Sequence, residues 1–385
     1  MEGGPLLMIP GPIALSPEVL AASSAAPPSH TDPAFIEIFG RALRAMREVW
    51  RAPEGAVPLV VAGGGTLAME VAVTNLVDPG QQALVIDTGV FSDRMAQILE
   101  RRGAVVRRCR APVGEAISPG ALREALSRRA VHAVFLTQVD TSTGVRIDVP
   151  ALAAIARGAG ALVVVDGVCS VAAEVLDQDA SGVDVVLTAS QKAIGAPPGL
   201  ALLVVSPRAL AARRALLVPP PLSMDLASWI PIMEAYEAGR PSYFATPATG
   251  LVVALEVALR QLLQQGMPAI WARHARVASE VRAGLEILGM RRVPASSAVS
   301  AHTLSVMYPP EGTAGALVGA VAARGVAIAG GLHPQLRHDS VRVGHMGWVT
   351  TQPQLLQRTI RAVGEGLASL GHEADVDAAC QAISG

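Results

Sequence analysis

One side chain stands out by its chemistry: of the 31 lysines and arginines in the chain, a single one, Lys192, is a lysine. A desolvated amine can lose its proton and form a Schiff base with a carbonyl, whereas a guanidinium stays charged. Lys192 lies between the apolar runs 185–187 and 200–205, which places it in a loop rather than on a charged helix face. This position favours nucleophilic amine chemistry over the simpler alternative, a surface lysine.

A second candidate is Asp166, which follows the apolar run 161–165 and precedes Gly167. A carboxylate at the end of a buried strand is costly unless it has a partner, for example a protonated ring nitrogen. Taken alone, Asp166 fits a helix cap or a structural hydrogen bond equally well.

A third candidate is the glycine-rich turn Gly63-Gly64-Gly65-Thr66, which follows the apolar run 57–62 and opens a helical pattern. Glycines let backbone amides approach an anion, and a helix N-terminus favours a phosphate. The turn together with Ala68 also fits the loose dinucleotide pattern G-x-G-x-x-A, with Asp87 as the acid that would bind a ribose. The turn alone leaves a nicotinamide cofactor, another phosphate and a turn without a ligand all open.

The elements that position these residues follow an alternating pattern. Short apolar runs, typical of strands buried on both faces, occur at 57–62, 83–87, 133–137, 161–165, 184–187 and 200–205. Helical patterns lie between several of them, at 66–77, 91–102, 118–129 and 150–158. This order predicts an α/β fold with a mainly parallel sheet between helices, whose ligands bind beyond the carboxyl ends of the strands.

Three segments are expected along the chain. Residues 1–35, rich in proline, are predicted to form an N-terminal arm of fixed loop rather than helix. Residues 36–250 form the large domain, in which 229–243 reads as irregular or weakly helical. Residues 251–385 form a smaller α+β domain. Its predicted strands are 301–308, 326–329 and 340–344, and its predicted helices are 270–288, 313–324 and 353–370, after a linking helix at 248–265.

Composition excludes several classes of function. The net charge is −1 and no basic tract occurs, so no nucleic-acid partner is expected. No apolar window predicts a membrane span, and the N-terminus lacks the basic region of a secretory signal. The three cysteines have neither metal-ligand spacing nor a disulfide pattern, which predicts no metal site and a cytoplasmic location.

Taken together, Lys192, Asp166 and the glycine-rich turn supply what pyridoxal 5′-phosphate requires: a Schiff-base lysine, an acid for the pyridinium nitrogen and a phosphate cup. The motifs that carry a family resemblance are Ala62-Gly63-Gly64-Gly65-Thr66, Thr141-Ser142-Thr143-Gly144, Val165-Asp166-Gly167-Val168, Ser190-Gln191-Lys192-Ala193, Ala196-Pro197-Pro198-Gly199 and Val341-Arg342-Val343-Gly344. The chain resembles the fold-type I, class V aminotransferases, and among them the alanine–glyoxylate (serine–pyruvate) group. The resemblance implies a seven-stranded type of sheet in the large domain and a smaller α+β C-terminal domain.

The resemblance implies a role for each matching residue. Lys192 would hold the cofactor and shuttle the proton, Asp166 would pair with its ring nitrogen, and Phe91 and Val168 would pack on the two ring faces. The remaining cofactor contacts implied are Thr141 and Ser142 at the phenolic oxygen, Gly65, Thr66 and Gln191 at the phosphate, and Tyr243 and Thr246 at the phosphate of a neighbouring subunit. Arg342 would bind the substrate carboxylate, with Gly11 beside the substrate.

The activity implied is transamination of a small amino acid, an alanine or serine type of donor, with glyoxylate or pyruvate as acceptor, in a homodimer with its active sites at the subunit interface. Two departures from the family pattern leave the substrates open: Ala62-Gly63-Gly64-Gly65 replaces Ser-Gly-Ser-Gly, and Gln138 lies where relatives commonly have histidine. His345 is predicted to be structural.

Five alternatives remain: pyridoxamine–pyruvate transamination, aminoethylphosphonate–pyruvate transamination, a lyase, a binding module of the same fold, and an NAD(P)-dependent oxidoreductase.

Overall fold

The computed structural model describes residues 4–383. The α-helices in this part of the chain are α1 Pro17–Ser24, α2 Pro33–Trp50, α3 Gly65–Leu76, α4 Val90–Arg101, α5 Pro119–Ser127, α6 Val149–Gly158, α7 Pro207–Arg214, α8 Leu226–Glu237, α9 Thr249–Gln265, α10 Met267–Ile287, α11 Ala314–Ala322, α12 Pro353–Ser369 and α13 Val376–Gln381. Short 3₁₀ helices cover Leu222–Met224, Ser297–Val299 and Gly347–Thr351.

The strands are β1 Leu6–Leu7, β2 Val57–Ala62, β3 Gln82–Asp87, β4 Val105–Arg110, β5 Ala133–Thr137, β6 Val139–Asp140, β7 Val145–Arg146, β8 Leu162–Asp166, β9 Val185–Ala189, β10 Leu200–Val205, β11 Arg291–Arg292, β12 Leu304–Tyr308, β13 Val326–Ala327, β14 Ala329–Gly330 and β15 Val341–Gly344. In this part of the chain, no helix is both long enough and apolar enough to cross a membrane.

A seven-stranded sheet in the order β2-β10-β9-β8-β5-β3-β4 forms the centre of the molecule. Every neighbouring pair from β9 to β4 is parallel, and only β10 runs against its two neighbours. The inner strands β5, β8, β9 and β10 are buried along their whole length, as their unbroken Val and Leu runs require. The predicted α/β fold with a mainly parallel sheet is confirmed.

A second, smaller unit follows α9. It holds a four-stranded antiparallel sheet in the order β11-β12-β15-β14, covered by α10, α11 and α12. Buried side chains of these elements form a hydrophobic cluster separate from that of the large sheet. The N-terminal strand β1 pairs with β13, which ties the start of the chain to this unit. The predicted boundaries at residues 35 and 250 stay predictions.

One local prediction was wrong, and a second was right only in part. The N-terminal arm is not all loop, because residues 17–24 form helix α1. Ser16 caps this helix through a hydrogen bond from the Val19 N–H to Ser16 Oγ (3.3 Å), and Pro17 occupies its first turn, where a missing N–H is harmless. The segment 229–243 was predicted to be irregular or weakly helical, yet α8 continues to Glu237 with Pro231 inside it.

Candidate active site

A cleft opens beyond the carboxyl ends of the parallel strands. Its lining residues are Gly65, Thr66, Met69, Phe91, Arg94, Val139, Thr141, Asp166, Val168, Cys169, Gln191 and Lys192. Both proposed catalytic residues and most of the cofactor residues predicted from the sequence therefore lie in one cleft. The lining also includes residues that sequence reasoning missed, of which Arg94 and Cys169 carry polar or reactive groups.

Lys192 lies in the loop between β9 and β10, and its Nζ donates a hydrogen bond to the backbone carbonyl of Pro10. Gly11 has φ +104°, and a Cβ at this position would lie 2.6 Å from Lys192 Cδ. Only glycine combines this backbone conformation with such a close approach. The N-terminal segment thus packs directly against the amine.

Asp166 ends β8 and is almost fully buried. Burial raises the pKa of its carboxyl to about 7, and the negative charge of Asp140 adds to the increase. The Val168 N–H, which donates to Asp166 Oδ1 (2.9 Å), and the charge of Lys192 act in the opposite direction. A buried acid whose charge is so poorly compensated by the protein is suited to a cationic partner, such as a pyridinium nitrogen.

The N-terminus of helix α3 forms another part of the cleft lining. Helix α3 begins at Gly65, and within the described chain its N-cap, Gly64, offers no side chain to cap the first N–H groups. Gln191 Oε1 is buried without a hydrogen-bond partner among residues 4–383. A Cβ at Gly65 would lie 2.9 Å from Val168 Cγ2. A side chain at position 65 would therefore narrow this part of the cleft. The free helix N–H groups fit a phosphate, and Gln191 could donate to it only through its amide nitrogen Nε2.

Phe91 is held in the cleft by a network around Asp140, which sequence reasoning missed. Asp140 Oδ2 accepts hydrogen bonds from the backbone N–H groups of Phe91 (2.9 Å) and Ser92 (3.2 Å). Ser142 Oγ donates to Asp140 Oδ1 (2.6 Å) and accepts from the Val90 N–H (2.9 Å). The Ser142 hydroxyl is therefore committed to the start of α4, and Ser142 does not line the cleft, whereas Thr141 does.

Tyr243 and Thr246 are outside the cleft of their own chain. The Tyr243 side chain is 66% exposed, and its ring centroid lies 5.5 Å from that of His30. Arg342 lies on β15, where its Nε donates to the Gly330 carbonyl (2.8 Å). Burial lowers the pKa of Arg342, and Arg342 is not among the residues that line the cleft.

Gln138 and His345 are both buried away from the cleft. Gln138 Nε2 donates to the Val175 carbonyl (3.1 Å), and His345 Nε2 lies 3.0 Å from Ser305 Oγ. Burial lowers the pKa of His345 well below its usual value, which keeps the ring neutral. These contacts agree with the structural role predicted for His345.

Comparison with known proteins identifies the family. The family model described as aminotransferase class-V matches residues 28–357. The chain belongs to the class V aminotransferase family. Alanine–glyoxylate aminotransferase 1 of Saccharomyces cerevisiae is 38% identical over 360 residues, which cover 89% of this chain and 91% of that relative.

Solved structures of aminotransferases share the fold. An alanine–glyoxylate aminotransferase from Nostoc sp. matches with a TM-score of 0.88 and 29% identity, over 95% of this chain and 96% of that chain. A pyridoxamine–pyruvate aminotransferase from Mesorhizobium loti matches with a TM-score of 0.92 and 26% identity, over 99% and 96%. The predicted family and the prediction of an aminotransferase are confirmed. The oxidoreductase alternative has no support, and its ribose-binding candidate, Asp87, is paired with Arg110 (2.8 Å).

Proposed function

We propose that the chain is a pyridoxal 5′-phosphate-dependent aminotransferase that moves an amino group from a small amino acid, alanine or serine, to glyoxylate or pyruvate. The observation that carries the proposal is the content of the cleft. The single lysine of the chain and a buried, poorly compensated acid share it with an uncapped helix N-terminus. These are the amine, the ring partner and the phosphate site that this cofactor needs.

When bound, the cofactor supplies an electron sink for the carbanion that forms at the substrate Cα. The protein supplies everything else. Lys192 would hold the cofactor through its amine and, when free, would take the proton from the substrate Cα. Asp166 keeps the ring nitrogen protonated, because a carboxylate in this buried position is stabilised by a cation beside it. Phe91 and Val168, both in the cleft lining, provide apolar surfaces for the ring.

Substrate binding is assigned to Arg342 and Gly11. The planar guanidinium of Arg342 binds a carboxylate through two parallel hydrogen bonds. Gly11 keeps the space beside the Lys192 amine free of a side chain. Glyoxylate as the acceptor is supported by the names of the Saccharomyces cerevisiae relative and the Nostoc sp. structure. Pyridoxamine–pyruvate transamination is the second candidate, because the Mesorhizobium loti enzyme has the same fold over nearly the whole chain.

We also propose a homodimer in which Tyr243 and Thr246 of one subunit complete the phosphate site of the other. Tyr243 is 66% exposed in the single chain, so its ring is accessible to a partner subunit at this surface. A cytoplasmic location remains a prediction; the three thiols, Cys109, Cys169 and Cys380, are all free.

A spectroscopic half-reaction tests the proposed function. The purified protein is incubated with pyridoxal phosphate, reduced with borohydride and analysed by mass spectrometry, and we expect one adduct at Lys192. Alanine, serine and pyridoxamine are then added separately, and the loss of the cofactor's visible absorption identifies the donor. Glyoxylate or pyruvate should restore that absorption. No adduct, or NADH binding detected by fluorescence in its place, would overturn the proposal.

A further inference from the structure

Arg94 is a cation in the cleft that neither the family resemblance nor the sequence patterns pointed to. It lies on α4, one turn after Phe91, and is half-buried. Of the residues that line the cleft, only Arg94 and Lys192 are cations. Because Lys192 is assigned to the ring end of the cofactor, the role of the second positive charge is unexplained by the mechanism.

Two contacts fix the direction of the Arg94 side chain. Its guanidinium carbon lies 4.9 Å from the centroid of the Phe91 ring, within the range of a cation–π interaction. Its Nη1 donates a hydrogen bond to Thr66 Oγ1 (3.2 Å). Thr66 is the second residue of α3, so the guanidinium lies at the uncapped N-terminus of that helix. A guanidinium carries five N–H donors, and in the described structure a single hydrogen bond occupies one of them.

A positive charge at this position attracts an anion, as the N-terminus of the helix does. The N-terminus of α3 carries a partial positive charge and free N–H groups, both of which favour an anion. A guanidinium adds a full charge and a planar set of donors that matches a phosphate. No side chain carboxylate accepts from Arg94 in the described chain, although acids neutralise its neighbour Arg108. The charge of Arg94 is therefore available to a ligand.

We propose that Arg94 is a cofactor-binding residue whose guanidinium binds the phosphate group at the N-terminus of α3. The inference rests on the proposed function, which supplies a phosphate-bearing cofactor. Its stacking on Phe91 holds the guanidinium in place, so that Thr66, Gln191 and Arg94 together form the anion-binding end of the cleft.

The test compares affinities for a ligand with and without phosphate. The apo forms of the wild type, Arg94→Gln, Arg94→Lys and Arg101→Gln are titrated with pyridoxal phosphate and with pyridoxal, and the dissociation constants are read from absorbance. Arg101 is an exposed arginine at the end of the same helix and serves as the matched control. We expect Arg94→Gln to weaken pyridoxal phosphate binding about tenfold or more, as for the loss of a charge-assisted hydrogen bond. Pyridoxal binding should change less than about twofold, since no charged partner is lost.

Two further results complete the expected pattern. Arg94→Lys should fall between the wild type and Arg94→Gln, because it keeps the charge but loses the planar donors. Added salt should weaken phosphate binding more in the wild type than in Arg94→Gln, because a partly exposed charge is screened. Arg101→Gln should bind both ligands like the wild type.

Other outcomes overturn the proposal. An equal loss of affinity for both ligands would show that Arg94 only supports the Phe91 ring, and unchanged affinities would show no role. Should the wild type fail to bind pyridoxal phosphate at all, the proposed function fails separately. The melting temperatures of the wild type and Arg94→Gln with inorganic phosphate then test Arg94 alone. A larger rise for the wild type than for Arg94→Gln would support an anion-binding role for Arg94. Equal rises would exclude that role.

Discussion

Replacing Asp166 by asparagine should stabilise the cofactor-free protein above neutral pH. The pKa of Asp166 is about 7 in the folded protein, against a usual value of 3.8, because the carboxyl is buried. The folded state therefore binds the proton more tightly than the unfolded chain does. The stability linked to this group is complete below pH 3.8 and is lost as the pH rises to about 7. An asparagine carries no charge and keeps an oxygen that accepts from the Val168 N–H. The unfolding free energy of the variant therefore does not decrease with rising pH through this position.

The size of the effect follows from the pKa difference. Each pKa unit corresponds to about 1.4 kcal/mol, so the wild type should lose about 4 kcal/mol of unfolding free energy between pH 4 and pH 8 through this one group. Urea unfolding of the apo wild type and Asp166→Asn at pH 5, 6, 7 and 8 measures the difference. We expect the advantage of the variant to grow by about 3 kcal/mol from pH 5 to pH 8.

The exposed Asp179 provides the control, because Asp179→Asn removes a carboxylate without changing a buried site. Its unfolding free energy should follow that of the wild type at every pH. A difference between Asp166→Asn and the wild type that does not vary with pH, or a variant less stable than the wild type at pH 8, would refute the reasoning. With pyridoxal phosphate bound, the wild type should regain the lost stability at pH 8. Asp166→Asn should bind the cofactor but transaminate roughly 10²-fold or more slowly, as for the loss of a catalytic acid–base partner.

Three further predictions concern other residues. Lys192→Ala should still bind pyridoxal phosphate but give no borohydride-stable adduct by mass spectrometry and no measurable transamination. Gly11→Ala should lower kcat at least about tenfold, because its Cβ would meet the Lys192 side chain (2.6 Å to Cδ), while urea unfolding shows that the variant folds. The ring of His274 accepts from the Gly347 N–H, and burial lowers its pKa to about 4. Stability should therefore fall by about 3 kcal/mol as the pH drops from 6.5 to 4, and urea unfolding of His274→Gln should show a weaker fall.

Much of the large sheet could be predicted because strands that are buried on both faces have uninterrupted apolar runs in the sequence. The strands at 57–62, 133–137 and 200–205 have the predicted bounds. The edge strand β4, residues 105–110, was missed because it pairs with β3 alone and three of its six residues are arginines, so no apolar run marks it. The reversed direction of β10 was also beyond prediction, since an apolar run does not specify the direction of its strand.

The misses in the N-terminal half of the chain have a different cause. Proline was treated as a breaker of helices at residues 1–35, although at Pro17 it follows a serine that caps the helix. The combination of an N-cap serine with proline at the next position is a helix start signal. The signal was therefore present in the sequence, and only its interpretation was wrong. By contrast, Pro231 lies inside α8, where the packing of Trp229 and Ile232 against the core outweighs the hydrogen bond that proline removes.

The candidate site also contains some residues that the sequence predicts and others that it does not. Lys192 and Asp166 could be predicted because each follows a recognisable strand, and the topology of a parallel sheet brings strand ends together. Asp140 follows a strand in the same way, but its carboxylate accepts from the backbone of α4, and a backbone donor leaves no mark on the sequence. Arg94 depends on a contact between α4 and α3, which are separated in the sequence by strand β3 and pack together in the fold. Sequence patterns therefore identify the reactive groups at strand ends. Residues that orient a ring, or that add a charge from a neighbouring helix, are identified only from the interatomic distances in the folded structure.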